Sequence, residues 1–229
     1  MSSPNTSANL VKHEVHREFT YENTVVLTLS AEFPEVGLEN NRMAENRINS
    51  RIRMQIDVFY RYIANTLYSQ AIQFYKDTQV NGFPFHAYDA VLNYSLTYNE
   101  NCFLSFYRDQ YEYTGGAHGN TIRSSDTWNL QNGRLYPLAR FFRPHTNYQY
   151  LLTQQIIKQA DQNMQENPGV YFDDYRSLIV KYFNEQNYYL TPPGVAVYYQ
   201  QYEIAPYSTG IVVFTIPYVV LGWAPSCSR

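Results

Sequence analysis

The sequence predicts an α+β fold in which antiparallel sheets pack against helices. Segments with alternating apolar and polar residues follow one another in runs, and the helical segments lie between those runs instead of alternating with single strands. With 229 residues, of which 45% are hydrophobic and 16% charged, the chain can bury one good-sized core or two smaller cores that share an interface. This composition is typical of a globular protein.

A β-hairpin is expected at the start of the chain. Residues 11–33 contain two runs with the alternation that is typical of strands, and the runs meet near residues 21–23. Pro34 and Gly37 are expected to end the second strand, because proline has no backbone N–H for the ladder and glycine favours a bend.

A long helix is expected next. Apolar residues recur every three or four positions from Ile48 to Phe74, so the helix should lie across a sheet with its apolar side buried. Asn40 or Asn41 is the expected N-cap. Residues 81–84, which include a glycine and a proline, should end the helix.

Two further strands are expected to form an antiparallel hairpin. Apolar residues at every second position from 90 to 98 mark one face of the first strand. Residues 99–101 are expected to turn the chain into a second strand at residues 102–113, which would place Cys102 inside that strand.

The C-terminal half is expected to contain two shorter helices among strands. The predicted elements are a strand at residues 122–130, a tight turn at residues 132–133, helices at about residues 151–160 and 174–183, and closing strands at residues 195–200 and 211–216. Asp173 is the expected cap of the second helix. We expect two regions, residues 10–114 and 115–222, packed as one unit, because no linker separates them.

Two short stretches are the best candidates for function. Residues 113–120 read Tyr-Thr-Gly-Gly-Ala-His-Gly-Asn, and residues 202–207 read Tyr-Glu-Ile-Ala-Pro-Tyr. Each combines aromatic side chains with glycine or proline, which impose special backbone geometry, and neither contains a complete set of catalytic groups. We therefore predict binding loops. The residues expected to set loop geometry, with at least one glycine at positive φ, are Gly115, Gly116, His118 and Gly119, and those expected to bind are Tyr199, Tyr202, Glu203, Pro206 and Tyr207.

The same stretches resemble a bacterial domain family of largely unknown function. The resemblance rests on residues 115–119, 128–133 and 193–218, which contain the family's motifs in order. The family includes the extracytoplasmic lysozyme-sensing domain of the sigma-V anti-sigma factor, and a related region precedes the catalytic domain of some peptidoglycan deacetylases. The resemblance implies an α+β fold and, for one branch, lysozyme recognition. It also implies that residues 202–210 lie in the half of the domain associated with binding.

Three functions stay open. The first is a non-catalytic binding domain for a protein such as lysozyme or for a cell-wall glycan. The second is a hydrolase acting on cell-wall polysaccharide, or an accessory domain of one, and the third is a structural domain. No G-x-S-x-G elbow or S-x-x-K pair occurs in the chain. His118 would need Ser124, Ser125 or Asp126 beside it to act as a base, and we interpret it as a histidine that fixes the turn. No catalytic residue and no cofactor is predicted.

Nucleic acid and metal ions are not expected to bind. The formal net charge of −3 gives no long-range attraction for nucleic acid. His13 and His16 lack the four-residue spacing of a helical zinc motif, and on a strand they would point to opposite faces. Asp173 and Asp174 are adjacent at a helix start, which favours a capping role over a glycosidase pair.

The sequence leaves the compartment open. Residues 1–12 contain no apolar run, so neither a signal peptide nor an anchor is expected there, and no segment has the roughly 20 apolar residues that span a bilayer. The protein would be cytoplasmic if Met1 is the native start, whereas the resemblance implies an extracytoplasmic location. Cys102 and Cys227 allow one disulfide by count, but a chain of this size needs none, so two reduced thiols are favoured. The ligand and the oligomeric state are not determined by the sequence.

Overall fold

The computed structural model describes residues 6–227 and contains two sheets flanked by helices. The larger sheet contains, in spatial order, β1 (Asn9–Tyr21), β2 (Thr24–Gly37), β3 (Tyr88–Glu100), β4 (Phe103–Tyr113), β5 (Asn120–Asn129) and β6 (Arg134–Leu135). The smaller sheet contains β7 (Tyr188–Leu190), β8 (Gly194–Tyr199) and β9 (Val212–Pro217). The helices are α1 (Arg42–Tyr62), α2 (Tyr68–Asn81), α3 (Tyr148–Glu166), α4 (Tyr175–Tyr182) and α5 (Tyr218–Leu221). The α+β class is confirmed.

The predicted long helix is present as α1 and α2, joined without a break by one π-helical segment, Ile63–Leu67. Asn41 caps α1, because its side-chain oxygen accepts a hydrogen bond from the Ala44 N–H at 3.1 Å. Gly82 ends α2 with φ +70°, a backbone conformation that glycine adopts without strain. The buried side of this helix packs on one face of the larger sheet in two hydrophobic clusters.

The larger sheet is antiparallel except between β2 and β3. These two strands pair in parallel from Leu27 opposite Tyr88 to Glu32 opposite Asn93. The parallel pairing follows from the connection: α1 and α2 carry the chain back across the sheet, as a crossover between parallel strands requires.

Three local predictions in the N-terminal half are wrong. Pro34 lies inside β2 instead of ending it, at a point where β3 no longer pairs with β2, so proline sits at an unpaired edge. The ladder shifts register between Leu96 and Tyr98, so Leu96 is 49% exposed although Tyr98 is buried. Asn101 and Cys102 form the turn between β3 and β4, with φ of +53° and +66°, so Cys102 precedes the strand.

The C-terminal half contains the two predicted helices and the two predicted closing strands. The sequence missed β7, because three buried residues are too short a segment to show alternation. Asp173 is not the cap of α4. Asp174 occupies that position, and its side chain makes no capping hydrogen bond.

The larger sheet continues across residue 114, since β4 and β5 pair from Glu112 opposite Asn120 to Phe103 opposite Asn129. The smaller sheet lies against the larger one, where Leu190 shares a hydrophobic cluster with Phe103. No helix within residues 6–227 has the length and hydropathy to cross a membrane.

Cys102 and Cys227 form a disulfide, so the prediction of two reduced thiols is wrong. Their Cα atoms are 5.0 Å apart, and Cys102 is fully buried. The Gln131 side chain also holds the C-terminal segment, because its amide donates a 2.8 Å hydrogen bond to the Cys227 carbonyl. Cysteine count alone cannot reveal that the chain brings two positions 125 residues apart into contact.

Candidate functional site

The two stretches singled out by the sequence meet in the structure. The Tyr207 hydroxyl donates a 2.9 Å hydrogen bond to the Gly119 carbonyl oxygen. The His118 ring stacks on the Tyr207 ring with centroids 3.8 Å apart and an interplanar angle of 21°. His118 Nδ1 also lies 3.1 Å from the Gly119 carbonyl oxygen, as expected for a histidine that fixes a turn.

The glycine loop between β4 and β5 owes its shape to two of its three glycines. Gly115 has φ +80°, which confirms the prediction of a positive φ in this loop. A Cβ on Gly115 would lie 2.5 Å from the Phe74 ring, and a Cβ on Gly119 would lie 2.3 Å from the Tyr111 ring. Gly116 has open space where a Cβ would be and no positive φ. The loop therefore requires glycine at two positions only.

The segment from Tyr202 to Gly210 presents a second aromatic ring beside Tyr207. Tyr202 is 53% exposed, and its ring centroid lies 5.8 Å from that of Tyr207. Pro206 has φ −66° and precedes a short 3-10 helix, Tyr207–Thr209, which ends at Gly210 with φ +74°. We call His118, Tyr202 and Tyr207 the aromatic patch.

Two glutamines fix the base of this segment against the free edge of β5. The Gln200 side chain accepts from the Arg123 N–H at 3.0 Å and donates to the Arg123 carbonyl at 2.7 Å. The Gln201 side-chain oxygen accepts from the Thr121 N–H at 2.9 Å. These amides replace the hydrogen bonds that a neighbouring strand would make. Nothing in the sequence marks these two glutamines, since glutamine is common next to strands.

Two of the predicted binding residues have internal roles. Tyr199 is fully buried, and its hydroxyl donates to the Ile179 carbonyl at 3.0 Å, so its ring is not accessible to a partner. The half-buried Glu203 carboxylate accepts from the Gln200 N–H at 2.7 Å. Burial raises the pKa of Glu203, and the hydrogen bond from Gln200 opposes that effect.

Arg123 lies between the two sheets. It donates two hydrogen bonds to Asp109, at 2.7 and 2.6 Å, and its guanidinium carbon lies 3.7 Å from the Tyr107 ring centroid. Burial would lower the pKa of Arg123, but Asp109 outweighs burial and the pKa is raised. Tyr107 in turn packs against Tyr189 of β7. The residues that hold β5 against the smaller sheet are therefore charged and aromatic.

The residues considered for catalysis make their contacts in different places. His118 stacks on Tyr207, whereas the Ser125 hydroxyl donates to the Tyr188 carbonyl at 2.5 Å. Asp126 accepts hydrogen bonds from Gln55 and Arg108. The arrangement required for a histidine base with a serine nucleophile is not formed by these residues.

The N-terminal histidines belong to the surface of β1. His13 bonds the Glu35 carboxylate at 2.8 Å, and His16 lies 3.1 Å from the Ser30 hydroxyl. Among residues 6–227, no group of three or more His, Cys, Asp or Glu side chains is placed to hold a metal ion.

Two family models match separate parts of the chain. Residues 20–121 match the model described as "Deacetylase PdaC", and residues 139–219 match the model described as "Protein of unknown function (DUF3298)". Comparison with curated proteins finds no match. These matches support the predicted bacterial family of unknown function.

Solved structures of the DUF3298 family have a similar fold. A member from Bacteroides fragilis NCTC 9343 is similar at 18% identity, with 96% of this chain and 94% of that chain covered and a TM-score of 0.73. A DUF3298 family protein from Pseudomonas aeruginosa PAO1 is similar at 15% identity, covers 95% of this chain and 93% of its own, and has a TM-score of 0.60. At these identities the likeness extends to the fold alone.

Proposed function

We propose that the chain is a non-catalytic binding domain that recognises a cell-wall glycan or a protein through the aromatic patch. Lysozyme is the protein that the resemblance to the anti-sigma factor suggests. The observation that carries the proposal is the union of the two loops: His118 and Tyr207 are stacked, and Tyr202 stands exposed beside them.

The physical basis is the low cost of ordering. Tyr207 is already held by its hydrogen bond to Gly119, and the backbone beneath it is held by Gln200 and Gln201. When a ligand packs on this patch, the protein would therefore lose little conformational entropy. Tyrosine rings also offer an apolar face and a polar hydroxyl to one partner, which suits a sugar face or a protein surface.

The family matches favour a ligand of the cell envelope. The matched model for residues 20–121 is described as a deacetylase, and the resemblance associates a region of this kind with peptidoglycan deacetylases. A hydrolase is the less favoured function, because the carboxylates of Asp126 and Glu203 are already engaged in hydrogen bonds within the domain. Asp126 accepts from side-chain donors, and Glu203 accepts from backbone.

Binding measurements on two ligands would test the proposal. We expect calorimetric titration to detect binding of lysozyme or of soluble peptidoglycan fragments at up to roughly millimolar concentration. Tyr202→Ala should weaken binding about 30-fold, the effect of losing about 2 kcal/mol at a hot spot, with the melting temperature unchanged. Tyr150→Ala is the matched control, because Tyr150 is a 62% exposed tyrosine on α3.

Three results would count against the proposal. The first is that neither ligand binds, the second is that Tyr150→Ala weakens binding as much as Tyr202→Ala does, and the third is that Tyr202→Ala unfolds the domain. The last result would mean that the patch is structural.

A further inference from the structure

A second candidate site lies in a cleft of about 470 Å³ between the larger sheet and the segment that leads into β7. The cleft is lined by side chains from α1, β4, β5 and β8 and by residues 135–138 and 185–188. A cleft at a boundary between packed halves is a common location for small-molecule sites. None of the three residues of the aromatic patch lines this cleft.

Two arginines in the cleft share one carboxylate. Asp126, whose side chain is 7% exposed, accepts from Arg108 Nη1 at 2.9 Å and from Arg51 Nε at 3.4 Å. Gln55 Nε2 also donates to Asp126, at 2.6 Å. The cluster therefore contains two cations and one anion, and the neutral Gln55 amide occupies part of the hydrogen-bonding capacity of that anion.

Each of the two guanidinium groups has N–H donors that do not bond Asp126. Arg108 Nε is buried and makes no hydrogen bond to any residue in the described part of the chain, 6–227. Arg51 contacts Asp126 through Nε, which leaves both of its Nη groups outside that ion pair. The Arg51 side chain is 41% exposed, so a solute in the cleft can reach it. Each guanidinium carries five N–H donors in a fork that matches a carboxylate.

The remaining groups of the cleft affect which anion the two arginines can bind. Ser125 and Tyr198, whose hydroxyl oxygens are 3.2 Å apart, add polar atoms, and Tyr136 adds an aromatic wall. Glu185 is exposed at the rim, where its carboxylate accepts a hydrogen bond from the Tyr148 hydroxyl. Arg51, Arg108 and Asp126 together carry one excess positive charge, which matches a single carboxylate better than a multiply charged anion such as a phosphate, and the exposed Glu185 at the rim is screened by solvent.

We propose that this cleft binds the carboxylate group of a small ligand, with Arg51 and Arg108 as its donors. The shared chemistry has two sources, the C-terminal carboxylate of a short peptide and the carboxylate of a sugar acid. The site is independent of the aromatic patch, so it can exist whether or not the patch recognises a glycan or a protein.

The test compares charged probes with their neutral analogues. An N-acetylated dipeptide with a free C-terminus is titrated against the same dipeptide as its amide, and glucuronate against glucose, with backbone amide shifts of the intact domain followed by NMR. We expect at least one carboxylate to bind and its neutral partner not to bind, with shifts concentrated at residues 124–127. The arm that binds identifies the source.

Variants on α1 separate specific binding from general attraction. Arg51→Gln should weaken carboxylate binding about tenfold or more, and Arg51→Lys should weaken it too, because lysine keeps the charge but lacks the fork. Arg61→Gln, at an exposed arginine on the same helix, should have no effect. Equal binding of the acid and its amide, no binding of either acid at about 10 mM, or equal loss in Arg51→Gln and Arg61→Gln would overturn the proposal.

Discussion

Alanine substitutions in the glycine loop should have unequal costs. Gly115→Ala places a Cβ at φ +80° and 2.5 Å from the Phe74 ring. The left-handed conformation costs a non-glycine residue about 1–2 kcal/mol, and displacement of a packed ring costs about 1–3 kcal/mol. Loss of glycine freedom in the unfolded chain returns about 0.4–1 kcal/mol. We therefore expect a net loss of about 1–5 kcal/mol of unfolding free energy.

The other two glycines separate crowding from conformation. Gly119→Ala meets the Tyr111 ring at 2.3 Å without a positive φ, so it should cost about 1–3 kcal/mol through crowding alone. Gly116→Ala meets nothing and needs no special φ, so its stability should stay within about 0.5 kcal/mol of the natural protein or rise slightly.

Urea unfolding of the three variants, with the midpoints compared at constant slope, measures these differences. In a Tyr111→Ala background the cost of Gly119→Ala should fall, because the ring that the new Cβ meets is gone. The reasoning is refuted if Gly116→Ala destabilises as much as Gly115→Ala, or if the Gly119→Ala cost is the same in both backgrounds.

Three further predictions concern the covalent link and two acids. Cys227→Ala should lower the unfolding free energy by about 2–5 kcal/mol, because it opens a loop spanning 125 residues. Reductant should destabilise the natural protein by the same amount and should leave the variant unchanged. Urea midpoints measure both effects, and a midpoint of the variant that falls in reductant would contradict the prediction. The raised pKa of Glu203 means that its stabilising contribution is full below the unfolded pKa near 4.5 and is lost as pH rises through the folded pKa. Glu203→Gln should therefore be more stable than the natural protein at pH 7, with the gain shrinking toward pH 4; thermal melts that show an equal gain at both values would contradict this. Hydrogen bonds from Arg176 and Tyr175 lower the pKa of Asp161, so its contribution is present above the ordinary pKa of 3.8 and lost as pH falls. Asp161→Asn should destabilise at neutral pH and lose that effect in acid, which a pH series of melting temperatures can check.

Local patterns predicted the elements well, because their cause is local. The apolar period from Ile48 to Phe74 predicted the long helix, and Asn41 was among its two expected caps. The prediction of which strand residues share a face was wrong where the geometry depends on the partner strand. At Leu96 a register shift, which leaves no mark in a single strand's alternation, changed the exposed face.

The candidate site was predictable in part only. Special backbone geometry pointed to both loops, and the structure places them together. The residue type does not show that Tyr199 is buried and Tyr202 exposed. The difference depends on position, because Tyr199 belongs to β8, in which every residue is buried, and Tyr202 lies beyond the end of that strand. The arginine cleft was missed because Arg51, Arg108 and Asp126 are distant in sequence and each belongs to a common residue type. Such contacts arise only when the packed layers are in place.

The disulfide determines how the domain would carry a mechanical load. When the chain is pulled between β1 and Cys227, the force passes through the covalent bond to Cys102 in the turn between β3 and β4. Residues 103–226 therefore bear no tension while the bond is intact. At about 3.4 Å per extended residue, the 125-residue separation keeps roughly 430 Å of chain from being drawn out. The small sheet and its helices are thus protected from stretching, and the force falls on the strands that precede the turn.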